Sequence, residues 1–471
     1  MSALAWVIGF VYLAAAVAFV VGLHLMRTPS SARRGNLISA AGMVVAIVAT
    51  VVVAVLEGTG TWLGWGALGL GLIAGGVFGA VRARTVKMTD VPQLVSLFNA
   101  VGGGAAAAIA IADLLRRGGG TVTPTSSVPI VLDVLIGSIT LSGSLIAAGK
   151  LQGTIPGRPL LFPGARFVNG LVVLVALAAS VLVVLWPSTI AFVIVLLVAA
   201  LAFGVLMVLP IGGADAPVVV SLLNAFTGLA VAMAGFVIGN QAMIIAGALV
   251  GAAGTILTLQ MAAAMNRSVL SILIGGFGTG GSTGEAGPGA EAANVRALSA
   301  DDIGIQLAYA QHVMIVPGYG LAAGQAQHEV ADLAKLLTDH GIDVKYAIHP
   351  VAGRMPGHMN VLLAEANVPY PQMLQLEDAN AAFPTCDVAL VIGANDVTNP
   401  AARRPGNAVS GMPILDVDHA KAVVVIKRSM SPGYAGIPNE LFSDPKTGMF
   451  FADAKKGLTD IIAAVKQYVA A

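Results

Sequence analysis

The chain has 471 residues, 57% hydrophobic and only 10% charged, against about 25% charged in an ordinary globular domain. Residues 1–298 carry 13 basic and 7 acidic side chains and residues 299–471 carry 12 and 17, so a net charge of +1 conceals a basic apolar part and an acidic polar part. This excludes a wholly soluble protein and leaves no footprint for nucleic acid, while the single cysteine, Cys386, excludes a disulfide framework and a multi-cysteine metal site.

A helix needs roughly 20 apolar residues to cross a membrane core of about 30 Å. Nine runs qualify, at about 3–26, 36–55, 61–80, 91–115, 128–150, 167–186, 188–209, 216–238 and 241–264. The first has no basic n-region and no small-residue cleavage site, so it reads as a retained span and not as a signal peptide. Lysine and arginine concentrate in alternate loops: Arg27, Arg33 and Arg34; Arg82, Arg84 and Lys87; Lys150, Arg158 and Arg166. The intervening loops carry only Arg116 and Arg117. The positive-inside rule then places the N-terminus outside and the polar C-terminal part in the cytoplasm.

A repeat lies within the apolar part. Asp90-Val-Pro-Gln-Leu-Val-Ser-Leu-Phe-Asn99 returns as Asp215-Ala-Pro-Val-Val-Val-Ser-Leu-Leu-Asn224, 125 residues on. Each copy sets an acid and a proline at a helix start, where the dipole and the missing N–H suit them. Each sets an asparagine nine residues further in, roughly 14 Å along the axis. Two amides at one depth read either as interhelical glue or as a polar path through the bundle. Asp113, Asp133, Lys150, Asn169 and Gln260 read as near-terminal groups, Asp133 within one turn of an interface. No histidine lies between His24 and His312, so a proton relay at mid-membrane needs a titrating group from a partner, or water organised by the amides.

Glycine-rich residues 271–298 predict a flexible tether, ending at Ser299, a helix cap. Short apolar runs then alternate with helical patterns. Strands are predicted at His312–Pro317, Asp343–His349, Asp387–Gly393 and Ala422–Lys427, with a shorter fifth at Pro413–Val417. Helices are predicted over Leu321–His340, 357–367 and 453–469. Continuous apolar strands between helices predict a Rossmann-like, doubly wound parallel α/β sheet.

The first of these strands runs into Gly318-Tyr319-Gly320-Leu-Ala-Ala323-Gly324, a G-x-G-x-x-A turn before a helix, as in dinucleotide sites. On that reading Gly318 allows the turn, Gly320 lets backbone approach a pyrophosphate and Ala323 packs helix on strand. The acid that would hold a ribose 2′-hydroxyl is absent after the second strand, which ends Ala347-Ile-His349. Lys427, Arg428 and Ser429 end a later strand and suit a 2′-phosphate; the bland alternative is a solvated basic edge. Asp396, in Gly393-Ala394-Asn395-Asp396, reads as a turn residue or a titratable group beside the ligand. Val351-Ala352-Gly353-Arg354 and Gly433-Tyr434-Ala435 belong to loops able to fold over a cofactor.

These residues resemble the β subunit of proton-translocating nicotinamide nucleotide transhydrogenases. The likeness is carried by Gly318 to Gln327, His349 to Ala366, Gly393 to Asp396 and Lys427 to Met430, and in the apolar part by Asp215 to Asn224 and Ala264 to Ser268. It implies NADP(H) on residues 299–471 and NAD(H) on a partner α subunit. Hydride would pass directly between them with Re/Si specificity, coupled to protons crossing residues 1–270. It further implies an additional transmembrane subunit or segment, a dimer of heteromeric protomers and a bacterial inner membrane. By position, Gly318, Gly320 and Ala323 would face the pyrophosphate, and Lys427, Arg428 and Ser429 the 2′-phosphate. Arg354 and Tyr434 would close over the cofactor. Asp396 would be a coupling group, Asp215 would lie at the channel mouth, and Asn224 in the channel. Asn99 stands where family members often carry a membrane histidine. The rival class is a transporter with a nucleotide-sensing domain, which fold alone permits; a membrane anchor scaffold leaves the fingerprint and Lys427-Arg428-Ser429 unexplained.

Overall fold

The computed structural model describes residues 3–26, 28–58, 60–117, 124–156, 159–160, 162–212, 215–265, 268–275, 295–353, 357–407, 409–433 and 435–469. The chain divides into two compact units: 1–155 with 162–209 and 219–257, and 156–161 with 210–218 and 258–471. Most of the tether, Arg27, Arg158, Asn266 and Arg267 lie outside the described residues.

Nine described helices are long and apolar enough to cross a membrane. They are α1 (Ala3–Leu25), α2 (Pro29–Leu56), α3 (Trp62–Thr85), α4 (Val91–Arg117), α5 (Pro124–Gln152), α6 (Ala165–Leu185), α7 (Ile190–Val208), α8 (Ala216–Ile238) and α9 (Gln241–Ala264). All nine expected spans are present. Lipid gives helices little hydrophobic reason to associate, so close approach needs small residues. At the α4–α5 seam, a Cβ added at Gly103 would meet the Gly137 carbonyl at 2.9 Å, and one at Gly137 the Gly103 carbonyl at 2.5 Å. Gly228 and Gly247 make a like crossing between α8 and α9, each with the other's carbonyl under 3.0 Å from its added Cβ. By contrast α3 buries none of its residues in this chain.

Both repeat copies start helices with proline in the first turn. The copies also touch. The Asn99 amide donates to the Val220 carbonyl (3.5 Å), and the Thr227 hydroxyl donates to the Asn99 carbonyl (3.3 Å). Asn99 is buried and Asn224 half-buried. Asp133, read from sequence as lying within one turn of an interface, is fully buried within this chain.

The second unit holds a seven-stranded, all-parallel sheet in the order β1-β7-β6-β5-β2-β3-β4. Its strands are β1 (Arg296–Ala297), β2 (His312–Pro317), β3 (Asp343–Ala347), β4 (Met373–Leu374), β5 (Val388–Ile392), β6 (Ala422–Lys427) and β7 (Thr447–Phe451). Helices follow as α10 (Val269–Gly275), α11 (Ala300–Ala308), α12 (Tyr319–Ala323), α13 (Gln327–Asp339), α14 (His358–Glu365), α15 (Leu376–Ala382) and α16 (Ala454–Val469). Ser299 caps α11 as expected, in a capping box with Asp302. The central strands are buried on both faces: Ile315, Val316, Leu390, Val391, Val424 and Val425 are all inaccessible, each side chain contributing roughly 1.5–3 kcal/mol. Such burial explains why these strands read as unbroken apolar runs.

Two sequence expectations are corrected. Pro413–Val417 forms no strand. The Asn380 side chain takes a neighbouring strand's place there, donating to the Ile414 carbonyl and accepting from the Asp416 N–H, both at 2.9 Å. The helix expected over Leu321–His340 breaks after Ala323, where Gln325 adopts a φ of 50°. Strands β1, β4 and β7 were not legible: two are dipeptides, and β7 opens on Thr447-Gly448.

Candidate functional site

In parallel order the sheet reverses between β2 and β5, so the loops leaving their carboxyl ends part and open a crevice. That crevice is a cavity of about 550 Å³, within the size range of small-molecule sites. Five loops line it: Gly318, Tyr319, Gly320, Ala323 and Gly324 after β2; Val351, Ala352 and Gly353 after β3; Gly393, Ala394, Asn395 and Asp396 after β5; Lys427, Arg428 and Ser429 with Gly433 after β6; and Ala452 to Ala454 after β7. The structure thus gathers residues the sequence placed at separate strand ends. Ala435 does not line the cavity but holds Asp396. Arg354 and Tyr434 lie outside the described residues. Asn99, Asp215 and Asn224 do not line this cavity.

The glycines owe their place to backbone crossing. Gly393 has a φ of +65°, and a Cβ on it would lie 2.3 Å from Gly320 Cα; one on Gly320 would meet Gly393 Cα at 2.6 Å. The Gly318 N–H donates to the Ile392 carbonyl and the Gly320 N–H to the Gly393 carbonyl. Gly320 is therefore spent on the β5 loop, a reason sequence reading assigned to a ligand. Gly318 keeps extended backbone (φ −125°), so close approach to Ala394, not turn geometry, demands glycine. Ala323 is exposed toward the cavity, while Ala322 is the residue packed inward. The fingerprint itself forms the five-residue α12, and the longer α13 starts only at Gln327.

Asp396 anchors the roof. Its carboxylate accepts from the Ala435 N–H at 3.0 Å, and any Cβ at Gly433 would lie 2.4 Å from its Oδ1. Lys427 is half-buried and turned inward: its Nζ donates to the Ser431 carbonyl and lies 4.9 Å from the centre of the Phe442 ring. With its amide oxygen facing them, Asn395 accepts from Lys427 Nζ (3.1 Å) and the Gly433 N–H (2.7 Å). Burial pulls the Lys427 ammonium below its usual range, opposed by the Asp396 charge. Arg428 and Ser429 are exposed. The trio is thus split, one cation tying the loop down and one offered to solution.

Two buried asparagines that the sequence reading passed over brace this roof. Asn439 donates to the Asn395 carbonyl (2.9 Å), and Asn399 to the Pro438 carbonyl (3.0 Å). The Asn399-Pro400 turn signal marks Asn399. On the β3 side, His349 Nε2 lies 2.7 Å from the Pro413 carbonyl, and its Nδ1 accepts from the Val351 N–H (3.2 Å). Burial lowers its pKa to about 4, the Pro413 bond opposing, so the ring is a neutral strut. Asp453, also lining the cavity, was missed because β7 was missed.

The arrangement offers an exposed guanidinium and hydroxyl, a glycine-lined floor and a carboxylate in the roof. A phosphorylated dinucleotide fits this donor set. The sequence profile of the family described as NAD(P) transhydrogenase beta subunit matches residues 8–464. The NAD(P) transhydrogenase subunit beta of Rhodospirillum rubrum is 46% identical over 461 residues, 96% of this chain and 98% of that protein. The same protein from a named strain of that organism gives the same identity and coverage.

Proposed function

From the membership of this chain in the NAD(P) transhydrogenase β subunit family, we propose that its α/β unit binds NADP(H) in the cavity at the sheet reversal. An oxidoreductase role and a membrane setting come with the family and the nine helices. The observation that supports the finer reading is convergence: residues from four loops, chosen from sequence for dinucleotide chemistry, line one crevice with three more from a fifth. Arg428 and Ser429 would hold the 2′-phosphate, with Lys427 fixing their loop, and Gly318, Gly320 and Ala323 would face the pyrophosphate. Arg354 and Tyr434 would belong to loops closing over the cofactor. When bound, the nicotinamide supplies the hydride chemistry. What this chain supplies is orientation, exclusion of water and, at Asp396, a group whose charge answers to the loop above it.

NAD(H) would be held by a partner α subunit, and activity would require it. Proton passage through residues 1–270 would set the direction of an otherwise nearly balanced exchange; one charge moved through 100 mV is worth about 2.3 kcal/mol. Asp215 and Asn224 would mark the cytoplasmic mouth and the path, and Asp396 the coupling group. Residues 271–298 would be the tether, and the complex a dimer of heteromeric protomers in a bacterial inner membrane, N-terminus outside. The test is direct: residues 299–471, mixed with an NAD-binding partner, are expected to transfer hydride between NADPH and an NAD analogue. Nucleotide binding without that transfer would instead indicate a sensor domain on a transporter.

A further inference from the structure

Asp133 is the residue that the mechanism above leaves unused and the structure leaves unexplained. It is fully buried in α5, and neither carboxylate oxygen has a hydrogen-bonding partner among the described residues. Its span is apolar, with a mean hydropathy of 2.0. An isolated carboxylate in such surroundings is costly unless it is protonated or meets water or a partner.

Its surroundings follow from register. The α4–α5 seam is antiparallel. A Cβ at Gly103 would meet Thr140, one at Gly137 would meet Ala107, and one at Gly104 would meet Leu141. Asp133 precedes Gly137 by one turn on the same stripe, and Ser144 follows Thr140 by one turn. One face of α5 therefore presents Asp133, Gly137, Thr140 and Ser144 to α4. The Ser144 hydroxyl is also buried without a partner among the described residues. Extending the register sets Ser144 level with Asn99, and Asp133 nearer the other end of the seam. The charged groups of α4 near that end are Asp113, Arg116 and Arg117; Arg116 is exposed, and Asp113 and Arg117 pair with each other at 2.6 Å. Asp113 lies roughly one turn beyond the level of Asp133 and neutralises its own arginine, leaving Asp133 as the carboxyl available on this stripe.

We propose that Asp133 is a proton-carrying carboxyl of the membrane unit. It would take a proton from water reaching it past the C-terminal end of α4, becoming a neutral acid. It would release that proton toward the level of Ser144 and Asn99, roughly 16 Å further along α5, by way of a water chain running beside the close Gly103–Gly137 crossing, becoming a carboxylate again. The proposal rests on the proton-coupled reading and adds a titrating group from this chain to the one expected from a partner.

The experiment uses the full complex, this chain with its NAD-binding and transmembrane partners, in vesicles carrying a pH-sensitive dye. Asp133→Asn is expected to slow hydride-coupled proton uptake by about tenfold or more, with NADPH affinity unchanged within about twofold. Asp133→Glu is expected to keep at least half the rate. Infrared difference spectra between two pH values should show a protonated-carboxyl band that shifts in Asp133→Glu. If Asp133→Asn does not assemble, that comparison decides, and an unshifted band overturns the assignment. Unchanged pumping by Asp133→Asn, where the unsubstituted complex pumps, overturns this assignment alone. An unsubstituted complex that transfers hydride without moving protons overturns the coupled reading, and the assignment falls with it.

Discussion

Arg428 and Lys427 are adjacent cations with different work. Lys427 spends its ammonium on Ser431 and Asn395 and lies against Phe442, so its charge is committed to holding the loop. Arg428 is exposed at the cavity and free to meet an incoming anion. A lost charge-assisted hydrogen bond costs about 1.5–3 kcal/mol, or roughly tenfold to 150-fold in affinity. Arg428→Ala is therefore expected to weaken NADPH binding by that factor while leaving the binding of NADH unaltered, as read by calorimetric titration. An equal loss for both nucleotides would show that the arginine serves the fold and not the 2′-phosphate. The charge of this pair was legible from sequence. Its division of labour was not, because it depends on Ser431, Asn395 and Phe442 meeting one ammonium.

At the scale of elements, the loop after β3 hangs from His349, whose ring bridges Pro413 and Val351. A ring held neutral binds its proton only near pH 4, whereas in the unfolded chain it does so near 6.5. Its contribution is complete above about pH 6.5 and is lost as pH falls toward about 4, to a ceiling of about 3 kcal/mol. The stability of residues 299–471, followed by urea unfolding, is expected to fall through this window. In His349→Asn the slope between pH 6.5 and 5 should be markedly flatter. The same strut explains a misread element. Pro413–Val417 is apolar enough for a strand, but its carbonyls and N–H groups are taken by His349, Asn380 and Val397 side-chain and backbone partners. No local pattern encodes that competition.

Across the whole molecule, the proton-coupled reading meets a membrane part that carries Asn99 in α4 and no histidine between His24 and His312. A partner's transmembrane helix is expected to carry a histidine or an acid at mid-membrane. Sequencing the neighbouring subunit checks this, and replacing that residue by alanine should abolish proton uptake in the reconstituted complex. A partner with no such residue would shift the whole burden to Asp133 and bound water. The small-residue seams within this chain, and the bare surface of α3, belong to the same scale. Hydropathy reported that α3 spans, but says nothing of what it packs against.

The nine spans, the parallel α/β class and the strand-end residues that line the cavity are legible in the sequence. Each rests on local physics: span length against bilayer thickness, apolar runs against two-sided burial, glycine-rich turns at strand ends. Three things depended on the tertiary structure: the register that buries Asp133, the contact of Gly320 with Gly393, and the turning of Lys427 away from solution. These join residues from 4 to more than 70 positions apart. A single chain of symbols carries the composition of such contacts but not their geometry, which only packing resolves.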